Sequence, residues 1–565
     1  MPSEIEAGPG QSRATARATL FALVLILIGA GALRLPALDT VPPGLNQDEA
    51  CNAWNAYCLL KTGRDQFGVP WPIFYTRALG ENRSTLFLYW MRPFQAVCGL
   101  SIWATRLPAA AGGLLTILLM YWVGARLFDR GTGLAAAALL AANPIHIQMT
   151  RWGHEASLTP LLTLLPLAGL LWAGLWPATP APSPATRGIL RALLAGLLTG
   201  VCCYGYPAVR LFVPVFLLAV AAVTWRGWWP LLRERRGRLA VLAWVVGFVV
   251  TFGPLAYVHV AEPHKIARRG DVTWAWLDDD PPATRVAAVL VRYISHFSPD
   301  VLFWRGDEYD RVWTPRTGFM PRYTLPLLIA GAAVCGARLG RGRAASVLLA
   351  AVLLYPVADC LNWHVSLQAL RSSAGLWALV LLAALGISGT VGWLRRQRLT
   401  AYALVGGVAL LALATMEGRQ FWRAYAVERS RDVLVRRANH ADLVAACAWL
   451  RSRLADVDAV VCTTEGFNQP YVITVVALGY SPEQWFAEPR VWEAGEVWDH
   501  WSRYGKLYFA GAAERAALLD AWRADGREQR VLLLVRPGEP VIGERIHRIQ
   551  WFGEYTALEI YEARL

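Results

Sequence analysis

Apolar stretches free of charge, each roughly 15 to 23 residues long, recur along most of this chain, and that is about the length that crosses a bilayer. They predict membrane spans at 18–38, 107–125, 131–150, 156–176, 192–206, 208–225, 239–260, 323–337, 344–358, 372–394 and 399–416. Recurrence at this spacing excludes a signal peptide followed by a soluble domain. The first run carries no clear small-residue cleavage site, so it reads as a retained span. After Met416 the texture changes. Short β-like runs at Ala459–Cys462, Lys506–Phe509, Val531–Val535 and Ala557–Tyr561 alternate with helical stretches such as Ala512–Ala524. The pattern predicts an α-helical polytopic membrane protein of about 11 transmembrane helices over residues 1–416, with a C-terminal soluble α/β domain over residues 417–565. Pro177–Pro184 reads as a plain connecting loop.

Thr85–Leu100 is apolar too, but Arg92-Pro93 stands at its centre. A charge in mid-bilayer is expensive and proline breaks the helix there, so the segment is expected to be interfacial or re-entrant. Arginine clusters then all fall on one side: Arg13 and Arg17, Arg126 and Arg130, Arg187 and Arg191, Arg226 to Arg238, Arg338 to Arg343, and Arg395 to Arg398. By the positive-inside rule that side is cytoplasmic, which puts the N-terminus inside and the C-terminal domain outside. The outer face receives a long first loop, residues 39–106, the short turn Arg151–Glu155, a long third loop, residues 261–322, and the segment near Asn362–Arg371.

The net charge of +14 would suit nucleic acid, but the clustering makes it a topology signal, and no nucleic-acid partner is expected. Nine cysteines follow no disulfide or metal framework; Cys51 and Cys58 would lie two helical turns apart.

Candidate chemistry sits in the first outer loop, Gly44-Leu-Asn-Gln-Asp48-Glu49-Ala-Cys-Asn-Ala-Trp54-Asn-Ala-Tyr57. Asn46 with Glu49 three residues on is a capping-box pattern and predicts a helix start. Ala50, Ala53, Trp54 and Tyr57 fall on one stripe, as for a helix lying on the membrane surface. Asp48 in its first turn is held ionised by the helix dipole yet poorly solvated, which suits a general base; acids also commonly decorate helix N-termini. Glu155, within Arg151-Trp152-Gly153-His154-Glu155, either pairs with arginine at the bundle rim or helps position an acceptor or a metal beside Asp48. Arg151, His154 and Tyr57 are candidates for positioning substrate. No second histidine stands at a ligand spacing from His154. Arg83, Arg210 and Arg371 lie near outer ends of apolar segments, where they either snorkel or meet an anionic lipid phosphate. Trp274, Trp276, Trp304 and Trp313 either form an interfacial belt or stack on sugar or prenyl chain.

The loop Asp48-Glu49-Ala with Leu59-Leu60-Lys-Thr-Gly63-Arg-Asp-Gln-Phe67-Gly68 resembles the first loop of the protein O-mannosyltransferase-like glycosyltransferases of family 39, of the GT-C fold class, to which aminoarabinose transferases are related. Thr105-Arg106-Leu107-Pro108-Ala109, Arg151–Glu155, Tyr204–Arg210 and His296–Phe303 with Gly306-Asp307 are similar to that family as well, so the resemblance covers roughly residues 20–390. It implies an enzyme of the bacterial inner membrane that moves a monosaccharide from a polyprenyl-phosphate donor to a hydroxyl of a protein, lipid or glycan acceptor, with inversion. Asp48 matches the family's catalytic acidic position, Glu49 its neighbour, and Glu155 the second acidic position. Arg83 stands where relatives carry a basic residue, although Asn82-Arg83-Ser84-Thr85 replaces the familiar Lys-Pro-Pro form. The resemblance leaves a divalent metal open. The rival reading is a polytopic lipid or polysaccharide transporter or flippase without covalent chemistry.

Overall fold

The computed structural model describes residues 9–176, 186–262, 280–307, 313–339, 342–361, 367–493, 500–526 and 528–565. Pro177–Pro184, Trp274, Trp276, Arg341 and Asn362 lie outside the described residues.

Among the described residues, eight helices are long and apolar enough to cross a membrane. They are Thr15–Arg34 within α1 (Pro9–Arg34), α4 (Ile102–Leu127), Glu155–Trp172 ending in α6 (Thr159–Trp172), α8 (Pro207–Arg233), α9 (Arg235–Ala261), Arg343–Cys360 beginning with α12 (Arg343–Leu354), Ala369–Arg396 ending in α13 (Leu376–Arg396), and Thr400–Arg431 beginning with α14 (Thr400–Trp422). The other three expected spans coincide with shorter helices: α5 (Arg130–Ala141), α7 (Thr186–Cys202) and α11 (Leu325–Arg338). Twelve residues of α5 reach only about 18 Å, less than the apolar layer.

Small residues let these helices close up. A Cβ on Gly331 of α11 would run into the carbonyl of Leu382 on α13, and one on Gly386 of α13 into that of Leu327. Such mutual backbone approach is how helices associate where lipid is as apolar as leucine. The bundle is a polytopic membrane domain, as the charge-free runs predicted.

Two further helices lie in the first loop: α2 (Gln47–Thr62) and α3 (Leu86–Cys98). With 13 residues and Pro93 inside, α3 is too short to span. Arg92 leaves the apolar face, its guanidinium 4.7 Å from the Trp71 ring. In the third loop α10 (Pro282–Ser295) is amphipathic and buries none of its residues.

The C-terminal domain is a seven-stranded mixed sheet in the order β4-β5-β6-β3-β7-β9-β8. Its strands are β3 (Ala459–Thr463), β4 (Arg490–Glu493), β5 (His500–Tyr504), β6 (Leu507–Ala510), β7 (Arg530–Val535), β8 (Glu544–Trp551) and β9 (Tyr555–Arg564). Central β3 pairs parallel with both β6 and β7. All five β3 residues are buried, as expected of a strand covered on both faces. Alternation assigns the faces: Ala459 and Val461 pack with Leu519 of α18 (Ala512–Ala524). Val460 and Cys462 face α15 (Ala441–Leu450) and α16 (Pro470–Leu478).

That second face joins the rest of the molecule. The core holding Val460, Val472 and Trp485 of the C-terminal domain also holds Ala50, Trp54, Cys58 and Leu59 of α2 and Phe87 of α3. A surface-lying α2 was expected; instead ten of its residues, on all sides, are buried. The helix is wedged between the bundle and the C-terminal domain.

Candidate active site

The start of α2 is fixed from both sides. Asn46 Oδ1 accepts the Asp48 N–H at 2.9 Å, and Glu49 Oε2 accepts the Asn46 N–H at 3.2 Å, which completes the predicted capping box. Gly44 precedes it at φ +75°, and a Cβ there would strike the carbonyl of Asn439 in the C-terminal domain. Leu45 donates its N–H to that carbonyl at 2.5 Å. Buried His440 lies with Nδ1 3.2 Å from Leu45 O and Nε2 accepting the Asn468 N–H at 3.2 Å; burial lowers its pKa and keeps it neutral.

Glu49 is fully enclosed. It takes Arg106 Nε at 2.8 Å and Nη2 at 2.9 Å, and the Gly153 N–H at 2.8 Å. Arg106 also donates to the carbonyls of Leu38, Pro42 and Gly44. Both oxygens of Glu49, which the sequence placed beside Asp48 as a catalytic candidate, are thus engaged by protein groups.

Asp48 is different: its side chain is 20% exposed and meets Arg83 Nη2 at 2.5 Å. Arg83 arrives on the two-stranded hairpin β1 (Thr76–Ala78) and β2 (Glu81–Arg83), turned by Leu79 and Gly80, both at positive φ. The hairpin is anchored through Thr76, which donates to buried Asp65 at 2.8 Å. Arg83 Nη1 lies 3.9 Å from Glu155 Oε1. The other oxygen of Glu155 accepts from Asn52 at 2.9 Å, one turn beyond Asp48 on the same helical face. Arg210, at the start of α8, donates to Ser84 at 2.8 Å and lies 3.4 Å from His259 Nε2. Four separate segments thus bring Asp48, Arg83, Glu155 and Arg210 together.

His154 caps the turn at Glu155, with Nδ1 accepting the Ala156 N–H at 3.0 Å and its ring stacked 4.5 Å from Trp152. Arg151 and Tyr57, expected to position substrate, lie apart from the Asp48 carboxylate. Arg151 is buried and donates to the carbonyls of Leu33, Arg34, Pro36, Ala37 and Val41, so it clamps the chain leaving α1. Tyr57 stands nine residues beyond Asp48, about 13 Å along the helix, with Lys61 over its ring. It does not reach the same atoms.

Arg371 belongs to a neighbouring buried group: its Nη1 lies 3.8 Å from Asp359 Oδ1, and Asp359 also meets Arg292 at 3.5 Å and His296 at 3.1 Å. No described contact joins it to Asp48. Sequence reading missed Asn52, Ser84, His259 and Asp359. Only Asn52, four residues after Asp48, carried a local signal.

Cys51, beside Asp48, is a buried thiol with its pKa pushed up to about 12 by burial, which keeps it protonated and poorly nucleophilic. All nine cysteines are free. Among the described residues no three histidine, cysteine, aspartate or glutamate side chains gather as metal ligands.

No protein-family model and no curated protein matches this chain. Solved structures do. ArnT from Cupriavidus metallidurans bound to undecaprenyl phosphate is 14% identical with a TM-score of 0.52, covering 95% of this chain and 97% of that one. The apo state of the same protein gives 12% identity and a TM-score of 0.52, covering 97% and 98%. The Archaeoglobus fulgidus oligosaccharyltransferase is 14% identical with a TM-score of 0.49, and the match spans 82% of this chain but only 64% of that one. The likeness to ArnT runs the length of both chains, and the fold is of the GT-C type, helical membrane bundle and C-terminal domain together.

Proposed function

We propose that this protein is a membrane glycosyltransferase that moves a monosaccharide from a polyprenyl-phosphate donor to an acceptor hydroxyl on the extracytoplasmic face. The observation that carries the reading is the Asp48–Arg83 ion pair, part-exposed, with Arg210 and Glu155 around it. A carboxylate bonded to a guanidinium is a poor base. A donor phosphate competing for Arg83 and Arg210 would free Asp48 only when the lipid is in place, coupling donor binding to base strength. The fold supports this reading, since it is shared with a protein crystallised with undecaprenyl phosphate.

The reaction is then one displacement. Asp48 takes the proton of the acceptor hydroxyl as its oxygen attacks the anomeric carbon from the face opposite the phosphate. The bond from anomeric carbon to phosphate oxygen breaks, and the configuration inverts. The electron pair leaves on the polyprenyl phosphate, whose charge is met by the guanidiniums; such electrostatic terms are often the largest in catalysis. Glu155, held by Asn52 and near Arg83, keeps that arginine poised between its two carboxylates.

The test is in vitro transfer from a panel of labelled polyprenyl-phosphate sugars. Asp48→Asn should lose about 10²-fold or more in turnover, the scale of general-base catalysis. A folded Asp48→Asn protein with wild-type turnover would refute the assignment.

A further inference from the structure

A cleft of about 550 Å³ opens between Thr314–Arg322 of the third loop and the stretch Glu417–Val435, where α14 runs into the C-terminal domain. Its volume lies within the range of small-ligand sites, roughly 300–1,000 Å³. The lining is charged but balanced: Arg316, Arg322 and Arg429 face Glu417, Glu428 and Asp432. A phosphate or other anion would meet three carboxylates here, and a cation three guanidiniums. A neutral polyhydroxylated molecule suits both sets, because guanidiniums donate two N–H groups side by side and carboxylates accept at two oxygens, the geometry that neighbouring hydroxyls complement.

Two placements connect the cleft to the reaction. Arg429, buried and donating to the Trp313 carbonyl, lines this cleft and also a second void of about 20 Å³. That void is bounded by Asn46, the cap that fixes Asp48. The cleft and the void therefore share Arg429, and the void meets the residue that caps α2. Its outer wall is α14, of which only Phe421 is buried, so the opening lies at the edge of the bundle, where a lipid-borne headgroup has access.

We infer that this cleft binds the acceptor, and that the acceptor group is an uncharged sugar. Displacement of Arg429 would open the cleft toward Asn46, the cap of the helix that carries Asp48. The inference rests on the transferase reading for its chemistry, yet binding can be read without turnover. The full-length protein in nanodiscs is photolabelled with a diazirine-bearing glucosyl diacylglycerol and, separately, with a soluble diazirine-bearing maltotriose. Labelling should fall on peptides 314–322 and 417–435 and be competed by free glucose but not by inorganic phosphate. The probe that labels tells whether the sugar comes on a lipid or free. Gln420→Trp, at an exposed position lining the cleft, should cut the labelling about tenfold, and so should Glu428→Gln combined with Asp432→Asn. Labelling only elsewhere, labelling untouched by both variants, or competition by phosphate overturns the inference. If Asp48→Asn keeps full turnover while these peptides still label, the base assignment fails and the sugar site stands.

Discussion

Adjacent carboxylates in this molecule sit in opposite surroundings. Asp48 is part-exposed and bonded to one guanidinium, while Glu49 is sealed in with Arg106, the Gly153 amide and its own helix cap. Removing one partner of a buried ion pair leaves the other charge uncompensated, at a cost of about 3–5 kcal/mol. Glu49→Ala should therefore lower the thermal unfolding midpoint sharply in detergent, whereas Asp48→Asn should leave it within a few degrees while turnover falls. Equal midpoints for the two variants would show that Glu49 has no framing role. The spacing Asn46 to Glu49 announced the cap, but nothing in the sequence separated the two acids. The difference depends on Arg106, 57 residues away.

Helix α2 was legible as a helix and misread in its setting. The stripe Ala50, Ala53, Trp54 and Tyr57 suggests one apolar face, yet Cys51, Asn52, Asn55 and Cys58 are buried as well. The missing partner is the C-terminal domain: Trp485 of the short helix α17 (Pro482–Ala487) donates its indole N–H to Gln66 O at 3.0 Å and stands edge-on to Trp54 at 5.4 Å. Large-to-small changes at such fully buried aromatics cost about 3–5 kcal/mol. Trp485→Ala should raise hydrogen exchange across residues 47–62 and reduce transfer without touching the donor arginines. Exchange in α2 unchanged from wild type would mean the domain is a passive cap. Strands were read in the same partial way. Buried β3, β6, β7 and β9 matched apolar runs. The strands β4, β5 and β8 did not: β4 and β8 are edge strands, and sequences such as Glu544-Arg-Ile-His-Arg-Ile-Gln-Trp551 carry charges on the exposed face, while β5 beside β4 reads His-Trp-Ser-Arg-Tyr.

At the scale of the whole molecule, bundle and C-terminal domain share one core through α2, so the chemistry proposed for the first loop and the orientation of the C-terminus stand or fall together. The arginine clusters predict that both lie outside. A reporter enzyme fused after Leu565 that works only in an extracytoplasmic compartment should be active; cytoplasmic activity would overturn that sidedness. The sequence by itself determined the membrane bundle, because lipid forces each crossing segment to declare itself as a long apolar run. It also determined the cap of α2 and the change to an α/β texture after Met416, since each is written in local spacing. Only the tertiary structure decided that Arg83 meets Asp48, that Arg151 is bonded to the carbonyls after α1 and Glu49 to Arg106, and that Arg429 lines both a charged cleft and the void at Asn46. Those are contacts between residues tens to hundreds of positions apart, and local periodicity carries no information about which distant partner a buried charge will find.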